Sequence, residues 1–250
     1  MTAKKLIEEK GFIEWILGFG MPLEKGSLVL LNYVSKLKDE DRVIDTNVEE
    51  VAKECGLYDP TRRYEPMLVC VGEGWVIKGL DEFLLKAEVG QKATVEIPPE
   101  KAFGLRDPGK IHMIPLRRLG KDAERVRVGD EIEVNGRIGI VRYVGSGRVQ
   151  IDFNHRYAGR VLVYEVEVLK KLEERDEKAM ALVRRRLPVD GIELGFEDGK
   201  VSIELPEAAF LIEGLQVIKR AIASDLFKYL DADEVKFVER YKNPKKEEAK

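Results

Sequence analysis

The chain has 250 residues, 36 % of them charged, with 43 Lys+Arg against 46 Asp+Glu and a net charge of −3. That length buries a core without disulfides or metals, and the charge balance excludes a globally basic nucleic-acid binder and an acidic disordered chain. Two cysteines, Cys55 and Cys70, exclude a disulfide framework and set a cytosolic default, with two buried thiols expected rather than one bridge. At the N-terminus, Phe12 to Phe19 is apolar except for Glu14 and Gly18. Acidic Glu8 and Glu9 precede it and no small-residue cleavage site follows, so it reads as a short amphipathic helix or as an extension before a true start at Met21, not a signal peptide. No stretch approaches the roughly 18 apolar residues of a membrane span.

From there the elements follow in order. Residues 27–37 read as an apolar strand, 38–42 as a charged turn and 43–46 as a short edge strand. Residues 47–57 read as a helix with Asn47 as N-cap and Gly56 as its end. Residues 67–71 form an apolar strand, Gly72-Glu73-Gly74 a tight turn, and 76–87 a helix carrying Ile77, Leu80, Leu84 and Leu85. Residues 92–97 alternate as a strand that Pro98-Pro99 stops. Residues 112–153 have the texture of a small β module with an Asn135-Gly136 hairpin, and 159–172 is again a strand. The charged run 173–178 marks a boundary. Beyond it come helix, a hairpin through Asp198-Gly199, one long amphipathic helix over 207–230 carrying Leu211, Leu215, Ile218, Ile222 and Leu226, and a strand at 235–241.

Chemistry-bearing constellations are scarce. Neither of the two histidines, His112 and His155, has a Cys or His partner at metal spacing, so no metal or cofactor is expected, and His155 reads as a turn histidine bonding nearby backbone. No phosphate-binding loop, dinucleotide fingerprint or nucleophile elbow is present.

Two segments together carry a resemblance. Residues 69–82, VCVGEGWVIKGLDE, and 89–104, VGQKATVEIPPEKAFG, resemble the FKBP-type peptidyl-prolyl cis–trans isomerases. Residues 154–168, NHRYAGRVLVYEVEV, are similar to the return strand of the SlyD-like branch, which carries an insert-in-flap chaperone domain. The loop at 47–66 and the C-terminal extension are similar to long archaeal members. The resemblance implies an α+β fold: an antiparallel sheet wrapping a short helix (26–111 plus 154–172), an inserted small β domain (112–153) and a C-terminal α+β domain (173–242). It leaves 1–25 as an N-terminal extension and 243–250 as a flexible tail.

The resemblance also implies a pocket. Tyr33, Asp45, Ile77 and Phe103 take its catalytic positions, and Ile44, Met67, Val76, Leu80 and Tyr164 its substrate-binding walls. The Ile77 N–H would bond a substrate carbonyl, Leu80 would floor the proline ring, and Asp45 would be the one buried carboxylate. Phe103 stands where the family usually has Tyr, and Leu80 where many members have Trp. The implied activity is isomerisation of X–Pro bonds in unfolded polypeptides. Rotation about the amide faces a barrier of about 18–20 kcal/mol but breaks no bond, so a shaped apolar pocket serves and no nucleophile, metal or base is needed. A metal-binding His-rich tail is absent from the end, Lys245 to Lys250.

In the insert, Met113, Ile114, Leu116 and Leu119 form the expected chaperone surface, since Met and branched residues suit adaptable apolar recognition. Two further readings compete. One is a non-catalytic holdase with a vestigial pocket. The other is RNA or ribosome binding through the insert, which has 8 Lys+Arg and 6 Asp+Glu; its stacking aromatics, Tyr143 and Phe153 alone, are too few, which disfavours nucleic acid. Unfolded polypeptides are thus the expected partner, with a homodimer through the C-terminal domain, no membrane and a cytoplasmic setting. Only 3 Gln and 5 Asn accompany the many charges, a composition of hot environments.

Overall fold

The computed structural model describes residues 22–241. The expectations for Phe12 to Phe19, for the rest of the extension to residue 21 and for the tail 243–250 lie outside the described residues. In chain order the elements are β1 (Leu28–Leu37), β2 (Arg42–Thr46), α1 (Glu49–Glu54), β3 (Met67–Cys70), α2 (Lys78–Leu84), β4 (Lys92–Ile97), β5 (Ile111–Pro115), β6 (Glu131–Val134), β7 (Arg137–Gly145), β8 (Arg148–Asp152), β9 (Leu162–Lys171), α3 (Arg175–Arg186), β10 (Glu193–Glu197), β11 (Lys200–Leu205), α4 (Glu207–Phe210), α5 (Leu215–Leu230) and β12 (Glu234–Glu239). The whole is a mixed α+β fold with largely antiparallel sheets.

The first sheet runs β2-β1-β9-β4, with β3 also paired to β1, and every pairing in it is antiparallel. Alternation places Val29, Leu31, Tyr33 and Leu37 of β1 on one face, where they meet Leu80 and Leu84 of α2. Burying each such leucine contributes about 1.5–3 kcal/mol. The helix comes close because residue 79 is glycine: a Cβ there would lie 2.4 Å from Ile97 Cγ2. The expected cap of α1 is corrected. Val48, not Asn47, precedes the helix, and no side chain caps it. Asn47 instead accepts the Tyr33 N–H at 2.8 Å and donates to Leu31 O at 2.9 Å and Glu65 O at 3.1 Å.

The second sheet, β5-β8-β7-β6, is built entirely from residues 111–152 and closes on Val141, Val149 and Ile151. Asn135 (φ 54°) and Gly136 (φ 74°) make the expected hairpin turn between β6 and β7. The strand Ile111–Pro115 had no counterpart in the sequence reading, because its apolar residues do not alternate and it ends on proline.

The third sheet, β10-β11-β12, joins β12 parallel to β11, and α5 lies in the connection between them. The single helix expected over 207–230 is two. Gly214 in the left-handed region (φ 74°) separates α4 from α5 and leaves Leu211 95 % exposed. The outer face of the first sheet, Leu28, Leu68, Cys70 and Leu172, shares one core with Leu182, Val183, Ile203, Ile222 and Leu226. The C-terminal residues therefore cover the side of the first sheet opposite α2.

Candidate active site

The nine residues expected at the pocket converge. Tyr33 lies mid-β1, Ile44 and Asp45 on β2, Met67 at the start of β3, Val76 and Ile77 before α2, Leu80 on α2, Phe103 after the turn at Pro99–Lys101, and Tyr164 on β9. Eight of them pack into the core beneath the inner face of the first sheet, with Tyr33 and Leu80 buried and the others partly so. Asp45 joins them through the Tyr33 hydroxyl, which donates to its Oδ2 at 2.7 Å.

Tyr33 and Tyr164 are diagonal neighbours on adjacent strands. Their rings stack with centroids 5.9 Å apart and planes at 30°. Burial, the largest cause, pushes the Tyr33 phenol well above its ordinary value, and the bond and charge of Asp45 add to it against a smaller opposing effect of Arg62. The phenol is therefore a fixed donor, committed to Asp45. Burial and the Asp45 charge raise Tyr164 as well.

Asp45 corrects one expectation. Its side chain is 45 % exposed, so it is not a buried carboxylate. Arg62 closes a triangle on it: Nη1 donates to Asp45 Oδ1 at 2.7 Å and Nη2 to Tyr33 Oη at 3.3 Å. Sequence reasoning missed Arg62, because it sits in an aperiodic loop and its partners lie 17 and 29 residues away.

The turn before α2 is held by another residue that sequence reasoning did not single out. Asp81 Oδ1 accepts the Gly72 N–H at 2.7 Å and Oδ2 the Gly74 N–H at 2.9 Å. Both glycines have φ near +70° (75° and 68°), which keeps the turn tight. Ile77 begins the helix, and its carbonyl accepts from Leu80 and Asp81 N–H at 3.0 Å each. Its own N–H has no backbone acceptor among the described residues. Leu80, the residue expected to floor the pocket, is 1 % exposed.

Phe103 stacks on His155, centroids 4.0 Å apart and planes at 15°. His155 is a turn histidine: its Nδ1 accepts the Tyr157 N–H at 3.3 Å, which places the neutral ring's proton on Nε2. Its stacking on the pocket residue Phe103 lay beyond what sequence reasoning reached. Among the described residues no group of three or more His, Cys, Asp or Glu is placed to hold a metal ion. Both cysteines are free, and Cys55 is exposed, against the expectation of two buried thiols. Burial pushes the Cys70 thiol up to about 11.

Of the expected chaperone surface, only Met113 is exposed, at 47 %. Ile114, Leu116 and Leu119 pack on the small core of the 111–152 module. Val128, Ile138 and Tyr143 are the other exposed large apolar residues there. The module is anchored at its base by Asp152 and Asn154. Asn154 accepts the Asp107 N–H and donates to Asp107 O, both at 2.9 Å, while Asp152 accepts from Arg106 at 2.5 Å.

Residues 21–169 match the family described as FKBP-type peptidyl-prolyl cis-trans isomerase, and residues 175–242 match one described as FKBP26_C-terminal. The chain is 39 % identical over 146 residues to a short-type peptidyl-prolyl cis-trans isomerase of Methanocaldococcus jannaschii, covering 58 % of this chain and 92 % of that one. It is 26 % identical over 155 residues to the FKBP-type isomerase SlyD of Helicobacter pylori, covering 61 % and 76 %. An FKBP-type 16 kDa isomerase of Escherichia coli is 26 % identical over 153 residues, covering 59 % and 93 %.

Proposed function

From its place in the FKBP-type peptidyl-prolyl cis–trans isomerase family, to which the chain belongs by the match over residues 21–169, we propose that it isomerises X–Pro bonds in unfolded polypeptides and also captures them as a folding chaperone. The observation that carries the reading is the convergence of Tyr33, Met67, Val76, Ile77, Phe103 and Tyr164 around one apolar site whose phenol is held by Asp45. Such a site has no group for bond cleavage and needs none. It withdraws the imide from water, where the planar polar form is favoured, and grips the twisted form more tightly. Ile77 N–H is the donor available to a substrate carbonyl. Phe103 and Tyr164 wall the ring, and Leu80 limits its depth.

The chaperone role falls to the module of residues 112–153, whose exposed Met113, Val128, Ile138 and Tyr143 offer an adaptable apolar surface. Tethering a captured chain there raises its concentration at the pocket. The isomerase unit is then 26–111 plus 154–172, followed by the α+β unit 173–242. Exposed Leu211, Val217 and Phe227 support a homodimer through that last unit. A light-scattering mass of one chain would count against that dimer. Among the described residues no helix is long and apolar enough to cross a membrane, and the cytoplasm is the proposed location.

The test replaces residues 111–151 with a short Gly-Ser turn. Activity on a proline tetrapeptide should stay within about twofold, while activity on a proline-limited refolding protein falls by about tenfold or more. Equal loss on both substrates overturns the division of labour. A second reading, a holdase with a vestigial pocket, draws on Phe103 and on the deep burial of Leu80. No acceleration of the tetrapeptide at micromolar protein, with aggregation still suppressed, would favour it.

A further inference from the structure

We propose that a cleft between the first sheet and the C-terminal unit binds acidic and apolar residues flanking the proline of a bound polypeptide. The proposal rests on the prolyl-isomerase reading of the Tyr33 pocket and gives that reading a substrate preference.

The cleft has a volume of about 940 Å³, at the upper end of the usual range for binding cavities, about 300–1,000 Å³. Leu30 and Leu68 of the first sheet form one wall, and Met180 and Ala181 of α3 with Leu194 and Phe196 of β10 form the other. Three residues connect it to the pocket. Tyr33 and Met67 line both sites, and Arg62, which holds Asp45 and Tyr33, lines the cleft as well. Met67 closes the β1–β3 ladder opposite Leu31, and Tyr33 lies two positions beyond it, so the inner-face pocket and the outer-face cleft meet around that end of β3, where a polypeptide with its proline on Tyr33 and Met67 can pass from one to the other. Met67 and Met180 are soft, unbranched side chains that accommodate varied apolar partners.

The charge of the lining points to the sign of the flanking residues. It holds five cations, Arg62, Arg63, Lys170, Arg184 and Arg185, against three carboxylates, Glu65, Asp176 and Glu177. Several cations are already engaged: Arg62 with Asp45, Arg63 with Asp190 and Lys170 with Glu177. Arg185 lies over the Trp75 ring, 3.7 Å from its centroid. Arg184 has no ionic or hydrogen-bond partner among the described residues, although it lines the cleft. An unpaired guanidinium beside apolar walls favours a carboxylate on the ligand and disfavours an ammonium.

The test uses the full chain and three peptides with the same Ala-Pro centre: a tetrapeptide, a 13-residue peptide with Glu and Leu flanks, and one with Lys and Leu flanks. The Glu-flanked peptide should show kcat/KM about tenfold above the Lys-flanked one, a difference of 1.4 kcal/mol. Arg184→Glu should abolish or invert that ratio, and Arg184→Ala should reduce it. Equal kcat/KM for the two long peptides, or a ratio that both variants leave intact, overturns the proposal. Calorimetry with a proline-free Glu-flanked peptide separates the cleft from the pocket. Absence of catalysis on every peptide sinks the isomerase reading alone if this binding persists and weakens by about fivefold or more in Arg184→Glu. No binding of the proline-free peptide at millimolar concentration sinks the cleft, and so does saturation that Arg184→Glu leaves unchanged.

Discussion

The Trp75 indole N–H donates to the Tyr229 hydroxyl at 3.1 Å, and the two rings meet edge to face with centroids 5.3 Å apart. The pair joins the isomerase sheet unit to α5 of the C-terminal unit. Arg185 covers the indole from α3, and Lys228 pairs with Glu73 at 2.6 Å beside it. Val76 and Ile77 follow Trp75 directly in the chain. The C-terminal unit thus braces the segment that carries Ile77, whose N–H has no backbone acceptor among the described residues and is the donor proposed for the substrate.

Tyr229→Phe keeps the edge-to-face packing and removes the hydrogen bond. It is expected to cost about 1 kcal/mol of stability and to lower kcat/KM on a proline tetrapeptide severalfold by loosening Ile77. Urea unfolding and a tetrapeptide assay read the two effects separately. A stability loss with unaltered kcat/KM would show that the brace holds the fold but not the pocket.

Phe103→Tyr restores a hydroxyl at a ring that packs on the same core as Tyr33, Ile77 and Leu80, the residues proposed to form the pocket. One added hydrogen bond to a substrate carbonyl, worth about 1 kcal/mol, should raise tetrapeptide kcat/KM about fivefold. An unchanged or lower rate would mean that stacking on His155, centroids 4.0 Å apart, holds the ring away from the carbonyl.

His155 gives the site a pH dependence. Burial, with the Arg156 charge adding to it, lowers its pKa below the ordinary value. The folded value therefore lies below the unfolded one of about 6.5. The unfolded chain binds the proton first as pH falls, so this contribution to stability is complete above about 6.5 and declines on acidification through the window beneath it. Protonation also sets a cation against the apolar wall at Phe103. Tetrapeptide kcat/KM should be flat from pH 7 to 8 and fall toward pH 5, and His155→Asn should flatten the acid limb. Persistence of that limb in the variant would assign it elsewhere.

The strands β4 and β9 were legible from the spacing of their apolar residues and β1 from its apolar and aromatic run, and Asn135-Gly136 announces its own turn. The nine residues proposed for the pocket were singled out only through motif resemblance; their residue types alone describe any sheet core. Local pattern gave His155 as a turn histidine but could not reach its stacking on Phe103 or the bonds of Arg62 to Asp45 and Tyr33, contacts that span 17 to 52 residues of chain. The break at Gly214 was hidden because apolar spacing continues through it. The shared core with the C-terminal unit did leave a trace. Leu28 to Leu31 is an unbroken apolar run, which a sheet buried on both faces requires and a one-faced sheet does not.

Asp152 anchors the 111–152 module, and its loss should uncouple capture from catalysis. Its side chain is 3 % exposed. Burial alone would raise its pKa, but the Asn154 side-chain bond at 2.7 Å and backbone bond at 3.0 Å, with the Arg106 and Arg142 charges, hold it below the ordinary carboxylate value. A depressed folded value means the unfolded chain takes up the proton first. The contribution is present above the unfolded value of about 3.9 and is lost as pH falls through the folded one. Asp152→Asn keeps the shape, removes the charge and should cost about 1–3 kcal/mol at pH 7. It should also remove part of the acid sensitivity of unfolding. With the base of the module loosened, activity on a refolding protein should drop several times further than activity on a tetrapeptide. A variant that unfolds at the same urea concentration as the parent, at both pH 7 and pH 4, would leave Asp152 without an anchoring role.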